Sequence, residues 1–257
     1  MAGGVLAVFA HPDDESLLAG GALAASAAAG RRVAIVSMTR GERGPSENPD
    51  SGRPSSLAAV REAELLAAAD ALGASSAECL AFPDGELADA DERQAVHALA
   101  ALLERERPEA VISFSEEGLY WHPDHLAVSR FLIAAVELLG EDAAPTWLYG
   151  ATWPEGHAGR LVSLARARGL AADLWGIVPD AFGAPAESIT TVLDVRSFLP
   201  AKLVALRCYA SQIGPSHLLS ALPDDLAEEF LGREYFVGLR SERPPRPDWL
   251  GTALAQP

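Results

Sequence analysis

The stretch GVLAVFAHPDDESLLAGGALAASAAAGRRVAIVSMT, residues 4–39, decides the fold. Val5 to Ala10 is an apolar, partly β-branched run of strand length, residues 14–29 are Ala- and Leu-rich with helical character, and Val33 to Thr39 is a second strand-like run. Strand, crossover helix and strand in that order make a βαβ unit, which sets its two strands parallel. The alternation continues. Strands are expected at Glu78–Phe82, Ala110–Ser115 and Thr146–Trp153, and helices near residues 56–72, 91–106 and 123–139. Gly30, Gly73 and Gly140 stand where helices commonly end on a left-handed glycine. The expected architecture is therefore α/β, a Rossmann-like, mostly parallel sheet flanked by helices.

Beyond Trp153 the pattern weakens into a helix near 157–169, a Pro- and Gly-rich stretch at Pro179–Pro185, a strand near Ser188–Val195 and a helix near Phe198–Ala210. With no repeat and no clean linker, residues 1–257 read as one domain with a less regular C-terminal third. RGERGPSENPDSGRPSS, residues 40–56, is a loop by composition. In an open α/β sheet it would lie on the rim of any site beyond the strand ends.

Composition narrows the function. The 257 residues are 49% hydrophobic and carry a net charge of −16, a field that repels nucleic acid and anionic lipid. No apolar run approaches the roughly 20 residues needed to span a bilayer, and the first ten residues lack a basic start, so no membrane association and a cytoplasmic location are expected. Cys79 and Cys208 form no CxxC pair and read as small buried residues. Lys202 is the sole lysine, and no P-loop, GxGxxG or GxSxG surrounds any predicted strand end.

The chemistry lies in two matching phrases, AHPDDE at residues 10–15 and HPDH at residues 122–125. Each follows a predicted strand and opens a predicted helix, so both belong at the carboxyl edge of the sheet, where crossovers converge. Acidic residues and proline in a first helical turn have a bland explanation in the helix dipole. That account does not explain why histidine precedes Pro-Asp twice. A catalytic divalent metal, zinc above all, takes three ligands from imidazole nitrogen and carboxylate oxygen and leaves a place for water. His11, Asp14 and one histidine of the second phrase supply such a set. Asp13 would be the general base on the metal-bound water, and the remaining histidine an acid.

These phrases resemble the zinc-dependent N-acetylglucosaminyl deacetylases typified by the GPI-biosynthesis and LmbE-like enzymes, which include the mycothiol and bacillithiol pathway deacetylases. AHPDDE matches the leading motif, TRGERG at 39–44 is similar to the family's TxGE turn, and HPDH is a further landmark. REAE around Arg61, FPDGEL around Asp84 and KLVALRCYASQ at 202–212 are fainter echoes. The resemblance implies that His11, Asp14 and His125 bind zinc or another divalent transition metal, and that Asp13 is the base. It makes His122 the residue that stabilises charge or protonates the leaving amine; buried beside carboxylates, His122 is expected to be held as an imidazolium that faces the developing oxyanion. It further implies that Glu42, Arg61, Asp84 and Tyr120 contact substrate.

Each of these has a plainer alternative. Arg61 could pair with Glu64 one turn on, Glu42 and Arg43 could be solvated, Asp84 could serve a Pro-Asp-Gly turn, and Tyr120 and Trp121 could cover the sheet edge. His97, His157 and His217 have no partner motif. The leading reading is a metallohydrolase that removes an acetyl or similar acyl group from the nitrogen of a small amino sugar or glycoconjugate. An amidase of the same mechanism on a thiol conjugate or natural product is the second reading. A non-catalytic Rossmann-like module holding a nucleotide or metal is the third. Symmetric self-association into a homo-oligomer stays open.

Overall fold

A computed structural model describes residues 4–45, 54–141, 143–215 and 217–239. Its seven strands are β1 Val5–Phe9, β2 Val33–Ser37, β3 Ser76–Cys79, β4 Ala110–Phe114, β5 Trp147–Thr152, β6 Thr191–Asp194 and β7 Arg233–Gly238. They form one sheet in the order β3-β2-β1-β4-β5-β7-β6. β1 to β5 are parallel, and β7 runs antiparallel to both β5 and β6. The sheet is thus the mostly parallel, helix-flanked one expected.

Among the described residues, eight α-helices accompany the strands. They are α1 Asp14–Ala28, α2 Pro54–Ala71, α3 Glu92–Glu106, the single turn α4 Gly118–Trp121, α5 Pro123–Leu139, α6 His157–Ala167, α7 Leu199–Cys208 and α8 Asp224–Leu231. α1 and α2 pack against α7, and α3 packs against α5. Helices therefore cover both faces of the central strands, which is why β1, β2 and β4 are buried along their whole length and read as unbroken apolar runs. Gly30, Gly73 and Gly140 adopt the left-handed backbone expected of them.

Several boundaries differ from the sequence reading. β3 starts and ends earlier than Glu78–Phe82 because the chain turns away toward the Pro83-Asp84-Gly85 turn, and β6 is confined to the middle of the expected Ser188–Val195 run. α4, α8 and β7 carry no strong pattern and were not expected. Residues 46–53 of the 40–56 loop lie outside the described residues, and Pro54 already belongs to α2. Cys79 and Cys208 are half-buried free thiols rather than core residues. Burial pushes the Cys79 thiol up to about 12, so it stays protonated.

The strand order positions the site. From β1 the chain crosses to β2 and β3 on one side, then returns to place β4 against the other edge of β1, with Val5, Leu6 and Ala7 in register with Ala110, Val111 and Ile112. The crossover direction reverses between β1 and β4. That reversal opens a crevice beyond their carboxyl ends. AHPDDE leaves β1 and HPDH follows β4, so the sheet sets the two phrases side by side.

A buried ion pair fixes α1 against the far part of the sheet. Lys202 Nζ lies 2.6 Å from Glu234 Oε1, both residues being almost wholly buried, and the same carboxylate accepts the backbone N–H groups of Gly21 (2.7 Å) and Ala22 (2.8 Å) inside α1. Gly21 is tight there, because a Cβ would lie 2.4 Å from Val195 Cβ. Lys202→Met is expected to lower unfolding stability by about 3–5 kcal/mol, since it strands a buried carboxylate. Chemical denaturation of the purified variant checks this.

Candidate active site

The chain leaves β1 through His11 and Pro12 and enters α1 at Asp13, whose φ of 127° is rare for any residue with a side chain. Asp13 occupies the cap position of α1, yet its carboxylate accepts no capping bond. It instead lies 3.0 Å from Arg61 Nη2. The capping explanation of this acid therefore fails. The strained turn is held by Glu15, whose buried carboxylate accepts the Asp13 N–H (3.1 Å), the Ser16 hydroxyl (2.6 Å) and the Tyr209 hydroxyl (2.5 Å). Tyr209 comes from the KLVALRCYASQ segment, which gives that faint echo a physical purpose.

On the other side of the crevice, α4 and α5 follow β4. Gly118 has φ 58°, and a Cβ there would lie 2.8 Å from His125 Cβ, so only glycine suits the position. Its carbonyl lies 3.0 Å from His125 Nδ1. That contact puts the proton on Nδ1 and leaves the Nε2 lone pair facing the site. His125 Nε2 is 3.3 Å from His11 Nδ1 and 3.5 Å from Asp14 Oδ1, and His11 Nδ1 is 3.5 Å from Asp14 Oδ2. Two imidazole nitrogens and a carboxylate thus converge within 3.5 Å of one another.

His11 is oriented from behind. Its Nε2 lies 3.2 Å from Asp124 Oδ2 and 3.1 Å from Asp84 Oδ1, so Nε2 carries a proton and Nδ1 is the nitrogen that faces the site. Asp124 is fully buried and also accepts the N–H groups of Gly85 (2.8 Å) and Leu87 (3.0 Å). Burial alone would raise it, but these bonds and His11 hold it below the usual carboxylate range. The sequence reading missed this residue. The signal was available, since a metal-ligating histidine almost always gives its second N–H to a carboxylate or carbonyl.

The protonation states follow from this packing. Burial pulls His125 down to about 3 and keeps it neutral. Burial also works against Asp14, but the His125 and His11 imidazoles outweigh it and hold the carboxyl at about 2. Asp13 goes the other way. Burial raises it to about 8, Arg61 opposes that, and Asp14 adds to it. Burial would lower His11, but its bonds to Asp124, Asp14 and Asp84 raise it well above the ordinary value, so without an ion it holds a second proton, on Nδ1, that a bound cation would displace. Two imidazole nitrogens and one ionised carboxylate, with each imidazole's other nitrogen already engaged, fit zinc or a similar divalent ion. The grouping of His11 with His122 and His125 is also close enough to share an ion, and so is that of His11 with Asp84 and Asp124. In both, however, atoms are committed elsewhere: His122 Nδ1 accepts a backbone N–H, and Asp84 and Asp124 are held by N–H groups.

His122 departs from expectation in two ways. It is itself the cap of α5, its Nδ1 accepting the Asp124 N–H at 3.2 Å, so capping does account for a histidine before Pro-Asp in this phrase. Burial, then the neighbouring His11, lower its pKa below the ordinary value, the opposite of the imidazolium expected from sequence. With Nδ1 accepting, its proton sits on Nε2.

The remaining expected residues lie close by. Arg61 is buried and does not pair with Glu64, which binds Ser211. Its guanidinium donates to the carbonyls of Gly41 (3.0 Å) and Pro12 (2.6 Å) and to Asp13, tying the two loops together. Asp84 is buried against His11 and accepts the Arg43 N–H at 2.7 Å. Glu42 accepts the Asp84 N–H at 3.0 Å and so supports that turn. Tyr120 packs its ring against His122, His125 and Phe182, and burial keeps its phenol protonated. His11, Asp13, Asp14, Arg61, Asp84, Tyr120 and His122 all border one cavity of about 410 Å³.

Of the histidines without a motif, His97 is exposed, His157 contacts the Phe230 carbonyl, and His217 is buried with Nδ1 accepting the Leu219 N–H. Burial draws His217 down to about 4. It is neutral in the fold and ionises more readily in the unfolded chain, so its contribution is intact above about pH 6.5 and is lost as pH falls toward 4. His217→Asn keeps a capping acceptor. The stability gap between the native chain and this variant is expected to shrink by about 2–3 kcal/mol from pH 7 to pH 4, read by urea denaturation at each pH.

Comparison with known proteins adds to this geometry. Residues 6–136 match the model of the PIG-L family, described as GlcNAc-PI de-N-acetylase. A 1D-myo-inositol 2-acetamido-2-deoxy-alpha-D-glucopyranoside deacetylase of Acidothermus cellulolyticus is 33% identical over 95% of this chain and 91% of its own length. Among solved structures, an N,N'-diacetylchitobiose deacetylase of Pyrococcus horikoshii is similar with a TM-score of 0.59 at 22% identity, over 93% of this chain and 83% of that one. A 4-carboxy-2-hydroxymuconate hydratase of Pseudomonas putida reaches 0.66 at 21% identity, over 96% and 100%. Those last two share the fold, and they show that the fold alone does not choose the reaction.

Proposed function

The chain belongs to the PIG-L family of GlcNAc-PI de-N-acetylases, and from that premise we propose that it hydrolyses the N-acetyl group of an N-acetylglucosaminyl glycoside with the help of zinc. The observation that carries the reading is the convergence of His11 Nδ1, Asp14 and His125 Nε2 within 3.5 Å, beside a carboxylate, Asp13, that caps nothing. A divalent ion held by these three would polarise the amide carbonyl and acidify a water.

The chain's own residues supply the proton transfers. Asp13 takes the proton of the attacking water, and Arg61, bonded to it, fixes which oxygen faces the substrate. The carbonyl oxygen gains charge as its carbon becomes tetrahedral, and the His122 Nε2–H is the donor that meets it. Because His122 is held below its ordinary pKa, this hydrogen-bonding role suits it better than that of acid. The proton gained by Asp13, whose pKa near 8 lets it be held and released around neutrality, then serves the departing nitrogen. Tyr120 walls the reacting amide, Asp84 and Arg61, which border the cavity, would meet sugar hydroxyls, and Glu42 would act behind them by holding the Asp84 turn.

The chemistry at the amide is the same for an N-acetyl sugar and for a conjugate amide. What favours the sugar is the family membership together with the acidic and guanidinium groups around the cavity. Zinc content of the purified chain, measured with acetate release from N-acetylglucosamine, tests the reading. Metal bound without acetate from any N-acetylglucosaminide would overturn it.

A further inference from the structure

A buried carboxylate at the start of α1 is shared between the candidate base and a residue from the far end of the chain. Glu15 is 1% exposed, its Oε2 accepts the Asp13 N–H (3.1 Å), and its Oε1 accepts the hydroxyls of Ser16 (2.6 Å) and Tyr209 (2.5 Å). We propose that Tyr209 is a positioning residue for the reaction, holding Asp13 through Glu15 in the backbone conformation that aims the base. The inference rests on the deacetylase reading and deepens it, because it ties the efficiency of the base to the C-terminal third of the chain.

The conformation needs holding. Asp13 stands at φ 127° and ψ −30°, outside the regions open to a residue with a Cβ. Rotation about N–Cα moves the Cβ against the preceding backbone, so a relaxed φ would carry the Asp13 carboxylate away from Arg61 and from the cavity it borders. An outlying backbone persists only where its surroundings over-determine it. Two groups do so here from different sides. Arg61 on α2 bonds the Asp13 carboxylate and the Pro12 carbonyl, and Glu15 bonds the Asp13 N–H. Glu15 has rotatable bonds of its own, and Tyr209 restrains them. Tyr209 is 0% exposed, and burial beside Glu15 pushes its phenol well above the ordinary range, so the hydroxyl stays the donor.

Tyr209 is itself anchored. It is the residue at which α7 ends, and its carbonyl accepts the Gln212 and Ile213 N–H groups at 3.0 and 2.8 Å. Ser211 gives its N–H and its hydroxyl to Glu64 (2.8 and 2.6 Å) on α2, the helix that carries Arg61. One short segment thus braces both helices whose side chains hold Asp13. Neither Glu15 nor Tyr209 borders the cavity, so a loss on altering Tyr209 does not come from a lost substrate contact. Satisfying a buried carboxylate would by itself give Tyr209 a role in stability. A positioning role differs in acting on the rate only through Asp13.

Tyr209→Phe removes one hydroxyl and keeps the ring. The test uses zinc-reconstituted protein with N-acetylglucosamine and its inositol glycoside as substrates. The kcat per bound zinc is expected to fall by about 10- to 100-fold, the upper figure being the cost of a roughly 1 Å misplacement, while KM and zinc content keep their native values. In the Asp13→Asn background the same substitution should change kcat by less than about twofold, because no base is left to position. In the metal-free chain, hydrogen exchange at the Asp13 amide, read by NMR, should quicken about tenfold relative to Leu23 inside α1, the usual worth of one bond to a charged group. If Tyr209→Phe does not fold, Ser16→Ala removes the other hydroxyl from the same oxygen and is put through the same comparisons. Unchanged kcat, an equal loss in both backgrounds, a loss that falls on KM or zinc content instead, or unchanged exchange at Asp13 overturns the inference and leaves the deacetylase reading standing. Acetate from neither substrate with the native chain overturns both.

Discussion

Asp13→Asn is expected to retain zinc while kcat falls by about 10²–10⁴-fold, the usual worth of a positioned general base. The amide is nearly the same size as the carboxylate, and Asp13 is not among the three converging donor atoms, so metal content is unaffected. Arg61 keeps its bonds to the carbonyls of Gly41 and Pro12, so the loop connection survives the loss of the ion pair. Zinc per chain and kcat, measured on the same preparation, check the prediction. Loss of metal together with activity would instead make Asp13 a ligand, and unchanged kcat would remove it from the mechanism.

The pH profile gives the same variant a second reading. A carboxyl raised toward 8 is mostly protonated at pH 7 in the free chain, so a base role predicts a rate that rises with pH until Asp13 ionises. A bound cation favours the ionised form and moves that rise to lower pH. The stability sign is the reverse. A carboxyl with a raised folded-state pKa contributes stability that is present below about pH 4 and is lost as pH rises toward 8. The Asn variant should lack both dependences, which a merely structural Asp13 would not produce for the rate.

The fold was legible where local and global signals agreed. β1, β2 and β4 are buried on both faces, and so their apolar runs mark them without ambiguity. β7 was not legible, because REYFVG alternates in burial beside a short helix and its pairing with β5 and β6 is a long-range choice. At the site, the repeated His-Pro-Asp phrase was enough to bring the two segments together, because the residues that follow β1 and β4 are neighbours whenever the strand order reverses between them. The division of labour inside the phrase was harder. His122 and His125 differ only in what meets their Nδ1 atoms, a backbone N–H in one case and a backbone carbonyl in the other. No spacing rule contains that difference. Asp124 was read as a helix-dipole residue, although its carboxylate faces His11 and the Gly85–Leu87 turn.

His125→Ala is expected to abolish both metal retention and turnover, a larger loss than that of the base. The substitution removes one of three donor atoms and also frees the Gly118 carbonyl. His11 Nδ1 and Asp14 remain, but two ligands do not hold a divalent ion as three do. Asp124→Asn provides the calibrating comparison. It keeps all three donors and weakens only the group that orients His11, for which a 10–100-fold loss of metal affinity is usual. The order of zinc affinity should therefore be native, then Asp124→Asn, then His125→Ala, read by competition with a chromogenic chelator. If His125→Ala holds zinc as tightly as the native chain while His122→Ala does not, the two histidines exchange roles and the tautomer argument built on Gly118 is wrong. Folding is checked separately. His125 is buried and stacked at 3.9 Å on Phe114, so His125→Gln, which fills more of that space, should show the same loss of metal with a smaller loss of stability.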